Sequence, residues 1–228
     1  MTTVGAETLA GQTEGHISAE ARMHWSVESP FNRLRADAAL AGFDLRVLSG
    51  FRGFSHQLSI WNRKARGELA VLDSDASPLS IVDLTEVEWV YAILRWSALP
   101  GASRHHWGTD LDVYDEAARP SDYEIDLTPQ EVDAGGMFAP LHEWLDERIA
   151  TGAAHGFFRP YDRDRGGVAP ERWHLSHAPT AAEFDAALSL GTLRATLSQA
   201  DLESKSVVLE HLDDIYARFV INTNRTTS

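Results

Sequence analysis

The sequence predicts an α+β protein built as one domain. Short stretches alternate apolar and polar residues with the period of a strand, at 44–51 and 110–116, and lie between segments whose apolar residues recur at helical spacing. A chain of 228 residues is long enough to bury one substantial core.

The first 25 residues are polar, Gly-rich and weakly patterned, and are expected as an extended lead-in. From Phe31 the spacing Phe31, Leu34, Ala38, Ala41 predicts a helix that Gly42 stops. DLRVLSGF (44–51) follows as a strand, with Leu45, Val47 and Ser49 alternating. Ser55 is the expected cap of a second helix through Leu58, Trp61 and Ala65, ending near Gly67. LAVLDSDASPLSIVD reads as a loop. Thr85 and Glu88 form a capping box for a helix to about Ser97, with Val87, Val90, Tyr91 and Leu94 inward.

LPGAS turns the chain into DLDVYDE (110–116), a strand whose polar face carries Asp110 and Asp112. Pro140 suits the first position of a helix with Leu141, Trp144, Leu145 and Ile149 on one face, closed by Gly152. GFFRPY and RWHLSH are two short strands joined by DRDRGGVAPE. Two amphipathic helices are predicted in the tail, near 180–189 and 204–220, the second carrying Leu209, Leu212, Tyr216 and Phe219. The expected division is lead-in over 1–25, main domain over 26–180, and a helical extension over 181–228 packed on the same domain.

Composition excludes several classes. The formal charge of -14, from 34 acidic and 20 basic residues, argues against nucleic acid or an anionic membrane as the main partner, since both require a positive face. There are no cysteines, which removes disulfides, thiolate nucleophiles and Cys-ligated zinc; any metal must use histidine and carboxylate. No window approaches the ~18 apolar residues of a membrane span, and MTTVGAETLAGQTEGH has neither the basic start nor the apolar run of a signal peptide. A cytoplasmic location or export by another route is expected; oligomeric state is left open.

The chemistry gathers in SRHHWGTDLD (103–112) and ERWHLSH (171–177). A zinc ion that catalyses hydrolysis takes three protein ligands and keeps one position open. His105 and Asp112 are seven residues apart, too far for one helical face, but within reach of a common point when Gly108 turns the backbone and Asp112 projects from the following strand. His174 completes the set. Glu171, three residues earlier, is placed to reach an attacking water without binding the metal, as a general base must. Taken alone, the first motif also suits a hydrogen-bonded loop in which Ser103 and the aspartates cap backbone amides. The H-x-D of two-histidine, one-carboxylate iron oxygenases and the H-E-x-x-H helix of other zinc peptidases are both absent.

S-x-H-x-x-G-x-D-x-D at Ser103 to Asp112, with E-x-W-H at Glu171 to His174, resembles the VanY-type zinc D-alanyl-D-alanine carboxypeptidases, related LD-carboxypeptidases and phage endolysin peptidases. The resemblance covers about residues 30–178. It implies that His105, Asp112 and His174 bind zinc and that Glu171 is the catalytic base. SGFRGFSHQ (49–57) resembles a further segment of that family, which places Arg52 and Gln57 in the substrate cleft. A guanidinium there suits a free terminal carboxylate or the oxyanion of a tetrahedral intermediate; a structural ion pair is the other use of Arg52. Ser103 either binds substrate or orients the turn.

The resemblance further implies a small antiparallel sheet carrying the metal ligands, with helices packed on one side and around it. The implied substrate is a peptidoglycan stem peptide ending in D-alanine, met at the cell wall. An endopeptidase that cuts inside the stem peptide is the alternative, and an inactive zinc-containing binding module a further one, against which the intact Glu171 argues. The family often has alanine where this chain has Asp110. That acid shares a strand face with Asp112 and is expected either to support a ligand histidine or to be solvated. His106 should point away from the metal, and His177 should lie at the surface or behind the ligands.

Overall fold

A computed structural model describes residues 4–224. Its helices are α1 (Ala6–Leu9), α2 (Trp25–Leu40), α3 (Phe54–Ala65), α4 (Glu86–Trp96), α5 (Pro129–Val132), α6 (Ala139–Ala150), α7 (Ala178–Ala187), α8 (Leu190–Gln199), α9 (Lys205–Glu210) and α10 (Leu212–Ile215). The strands are β1 (Leu45–Ser49), β2 (Asp110–Asp115), β3 (Phe157–Phe158) and β4 (His174–His177). They form one antiparallel sheet in the order β1-β2-β4-β3. The α+β architecture expected from the sequence is therefore the one observed.

Alternation along β2 and β4 sorts the sheet into a greasy face and a polar one. Leu111, Val113 and Leu175 join Leu45, Phe157 and residues of α2 and α6 (Leu34, Leu141, Leu145) in one buried cluster. The opposite face carries Asp110, Asp112, His174 and Ser176. A second cluster binds α3 and α4 to the tail through Trp61, Trp89, Val90, Ile93, Leu193, Leu197, Val208, Leu212 and Ile215. The tail is thus held to the rest of the chain by apolar burial worth ~1.5–3 kcal/mol per large side chain.

Several local expectations change. Helix α2 starts six residues before Phe31 and runs through Pro30, which lies inside the helix and removes the N–H that would bond to the Ser26 carbonyl. Gly53, not Ser55, occupies the cap position of α3. The Thr85–Glu88 capping box forms, but α4 buries Trp89, Val90, Ile93 and Leu94 while Val87 stays exposed. Pro140 is the second rather than the first residue of α6.

The tail contains a helix that the sequence reading passed over. Ser189 caps α8, and Leu193 and Leu197 face the core at i, i+4. The expected helix over 204–220 is broken into α9, α10 and a π-turn at Tyr216–Val220.

The N-terminal segment does more than lead in. It folds the helical turn α1, buries Leu9 against Trp107, and passes behind the His105–Gly108 turn. The Phe54 N–H donates to the Gly11 carbonyl, the Phe51 N–H to Arg22 and the His24 N–H to Gly108.

Candidate active site

His105 enters the site from a single 3₁₀ turn, Arg104–Trp107, that Gly108 ends in the left-handed region at φ 67°. Any side chain at 108 would also collide: a Cβ there lies 2.4 Å from Ile17 Cδ1 and 2.7 Å from the His24 nitrogen. This turn launches β2 at once, so Asp112 arises two residues into the strand. His174 is its partner across the β2–β4 ladder. Residues directly opposite in an antiparallel pair present their side chains on the same face, which brings the two together.

The three donor atoms lie within 4.8 Å of one another, and all three residues are buried. His105 Nε2 is 3.2 Å from Asp112 Oδ2, and its Nδ1 is 2.9 Å from the Gly50 carbonyl. A carbonyl only accepts, so Nδ1 carries a hydrogen, and Nε2 is the nitrogen that faces inward toward Asp112. His174 Nδ1 lies 3.4 Å from Asp112 Oδ1 and 3.1 Å from Glu171 Oε2. Asp112 Oδ1 is buried yet accepts no hydrogen bond among the described residues. Burial alone would lower the His174 pKa, but hydrogen bonds to Asp110 and Glu171 and the charge of Asp112 overcome it and raise it to about 10.

Arg52, Gln57, Ser103, His105, Asp112, Glu171 and His174 all line a single cavity of about 220 Å³. The residues expected from the sequence as metal ligands, base and substrate contacts are therefore brought to one place. The Arg52 side chain forms none of the structural ion pairs considered for it, and its Nε is buried without a partner among the described residues. Burial pulls its pKa below the usual arginine value, against the charges of Asp112 and Glu171. Gln57 donates from Nε2 to the Ala98 carbonyl at 2.7 Å, which leaves a buried Oε1 without a donor among the described residues. Ser103 precedes the 3₁₀ turn, but its side chain makes no capping bond.

His106 points away, as expected. Its Nε2 accepts from the Gly101 N–H at 3.0 Å and its Nδ1 reaches the Arg52 carbonyl at 2.6 Å. His177 is buried rather than at the surface, bonded to Thr180 and packed on Phe157.

Lys64, Tyr161 and Trp173 also line the cavity and were not foreseen as site residues. Tyr161 stands edge-on to the His174 ring, with centroids 5.0 Å apart. Lys64 lies two helical turns after Gln57 on α3, so the i, i+7 spacing was the available signal. Burial, then the charge of Arg52, lowers its pKa.

This chain is similar to proteins of known sequence and structure. An uncharacterized protein of Haemophilus influenzae is 28% identical over 125 residues, spanning 54% of this chain and 93% of that protein. Among solved structures, VanYB in complex with D-alanine-D-alanine has a TM-score of 0.50 at 18% identity, covering 78% of this chain and 84% of that one, a likeness of fold. A VanY D,D-pentapeptidase variant from a VanB-type resistance cassette, in complex with Zn(II), has a TM-score of 0.49 at 19% identity, covering 82% and 83%. The sequence model of the VanY family, described as D-alanyl-D-alanine carboxypeptidase, matches residues 20–180, a stretch that contains the whole sheet and every residue assigned to the site. This chain belongs to the VanY family.

Proposed function

We propose that this protein is a zinc-dependent carboxypeptidase that removes a terminal D-alanine from peptidoglycan stem peptides. One observation carries the reading: two imidazole nitrogens and a carboxylate converge on a point beside an independent carboxylate, Glu171, and an arginine, Arg52, without an ion-pair partner among the described residues.

The donor set fits zinc. Nitrogen and oxygen ligands from two histidines and an aspartate match its preferences, and the unbonded Asp112 Oδ1 is a buried acceptor that a cation would satisfy. His105 Nε2, an Asp112 oxygen and His174 Nδ1 would hold the ion. Bound there, zinc supplies the Lewis acidity that makes water nucleophilic near neutral pH and polarises a carbonyl.

The chain's own residues do the rest. Glu171, already within hydrogen-bonding distance of a ligand nitrogen, takes the proton of the attacking water and passes it to the leaving amine. Arg52 meets the developing oxyanion or the free carboxylate with a fork of N–H donors. Gln57 Oε1 and the Ser103 hydroxyl are polar positions on the cavity wall for the peptide. The cavity is smaller than the ~300–1,000 Å³ of sites for drug-sized ligands, a scale that suits a short side chain such as alanine at the cleaved end.

The test is mass spectrometry of defined stem peptides ending in D-alanine after a D or an L centre, with free or amidated C-termini. Loss of one alanine from the free acids, abolished by a chelator and restored by zinc, is expected. Equal cleavage of amidated peptides, or internal fragments, would replace the reading with an endopeptidase. No product from any peptide, with zinc bound, would leave a binding module.

A further inference from the structure

On the opposite side of His174 from the cavity lies a second, wholly buried carboxylate. Asp110 has no exposed surface and no place in the mechanism above. Its two oxygens are fully occupied. Oδ1 accepts from Arg104 Nε at 2.7 Å and lies 3.0 Å from His174 Nε2. Oδ2 accepts from the Thr109 hydroxyl at 2.6 Å and the Ser176 hydroxyl at 3.1 Å. Arg104 is buried with it, donates a second time to Ser176 at 2.8 Å, and reaches Asp185 on α7 at 2.9 Å.

The sheet register produces this contact. Asp110 pairs with Ser176 and Asp112 with His174, so Asp110 sits diagonally from His174 on the same face. An ionised carboxylate is only an acceptor, so His174 Nε2 must be the donor. That leaves Nδ1 as the nitrogen turned toward Asp112 and His105. With no acceptor behind Nε2, either tautomer and a range of ring rotations become available, and the ligand lone pair is no longer fixed.

We propose that Asp110, clamped by Arg104, Thr109 and Ser176, is a positioning residue that fixes the ring orientation and tautomer of His174 for the metal. The inference rests on the peptidase reading of the site. Outer partners of metal-ligating histidines are worth ~10–100-fold in metal affinity. Asp185 extends the clamp to α7, beyond the stretch that matches the family.

The experiment measures zinc affinity by competition with a chromophoric chelator for wild type, Asp110→Ala and Asp110→Asn, with folding checked by circular dichroism and melting. Asp110→Ala is expected to bind zinc ~10–100-fold more weakly, and Asp110→Asn, whose amide oxygen can still accept from Nε2, to recover much of the loss. Should Asp110→Ala fail to fold because Arg104 is left buried beside it, the double variant Arg104→Met, Asp110→Ala removes both charges and is expected to show the same weakened affinity. Unchanged affinity in folded Asp110→Ala, or in the double variant, overturns the proposal.

Nitrogen-15 NMR of the histidine rings supplies a readout that a merely structural role would not move. The His174 Nε2 proton should be downfield and slow to exchange in metal-free wild type, persist with zinc, and disappear in Asp110→Ala. Coordination through Nε2 overturns the inference. A wild-type chain that takes up no zinc defeats the peptidase reading instead, and the metal-free Nε2 signal then judges the Asp110 contact separately, its absence overturning that too.

Discussion

Asp112 and His174 are cross-strand partners in the β2–β4 ladder, and their side chains meet at 3.4 Å between Oδ1 and Nδ1. Two of the three proposed ligands are thus fixed by backbone hydrogen bonds rather than by a mobile loop, so the site should be largely formed before a metal arrives. Metal removal by a chelator is accordingly expected to abolish hydrolysis while leaving the far-ultraviolet circular dichroism unchanged. Zinc at 100 times its dissociation constant should stabilise the chain by ~2.7 kcal/mol, read from its thermal unfolding. A chain that unfolds on chelation would contradict this.

Glu171→Gln keeps the size of the side chain and removes the base. Turnover is expected to fall by ~10²–10⁴-fold with zinc content retained, measured by steady-state release of D-alanine and metal analysis of the purified variant. Loss of zinc in parallel would instead make Glu171 a ligand.

Arg52→Lys keeps a positive charge but not the fork. A drop of ~10²–10³-fold in kcat at constant KM would assign the guanidinium to the oxyanion, whereas a rise in KM confined to peptides with a free C-terminus would assign it to the terminal carboxylate. Near-normal kinetics on both counts would remove Arg52 from the chemistry.

His106 gives the metal-free protein an acid sensitivity of known sign. Burial, with the charges of Arg52 and His105, pulls its pKa from 6.5 to about 3 against the pull of the Arg52 carbonyl. The neutral ring is the folded form, so its contribution is complete above about pH 6.5 and is lost as pH falls toward about 3, at up to ~1.4 kcal/mol per pH unit. His174, raised to about 10, acts in the opposite sense: its contribution is present below about 6.5 and is lost as pH rises through about 10. Unfolding of wild type and His106→Asn from pH 7 to 4 isolates the first effect. The variant should be less stable at pH 7, because the Gly101 N–H or Arg52 carbonyl loses a partner, and should show the shallower slope. Parallel slopes would contradict the assignment.

Gly108→Ala is expected to cost more than the ~1 kcal/mol of the left-handed backbone alone, because the added Cβ would overlap Ile17 and the His24 backbone. Both melting temperature and zinc affinity should fall, since the turn sets the reach from His105 to Asp112. Retention of both would show that the turn adjusts freely.

The convergence of the proposed ligands and base, and the strand bearing Asp112, were legible because each rests on local spacing: seven residues around a glycine, three within E-x-W-H, and a period of two along β2. Asp110 was legible only as a choice, since a diagonal contact depends on a register that one sequence does not display. The α4 core face was misjudged at Val87, which is exposed, and at Trp89 and Ile93, which are buried, because all three are apolar and only packing separates them. Lys64 and Tyr161 carry no motif, and α8 hid behind its many polar residues. What these missed features share is dependence on a distant part of the chain.

The packing of residues 4–24 behind the His105–Gly108 turn has a practical meaning for anyone cutting the gene. The family match begins at residue 20, yet Gly11 lies against the back of His106, so closely that a Cβ at 11 would stand 2.5 Å from the ring. An expression boundary drawn where homology begins would therefore discard the wedge that keeps the histidine pair in place. The smallest fragment that retains activity is expected to be longer than the recognisable domain at its amino end.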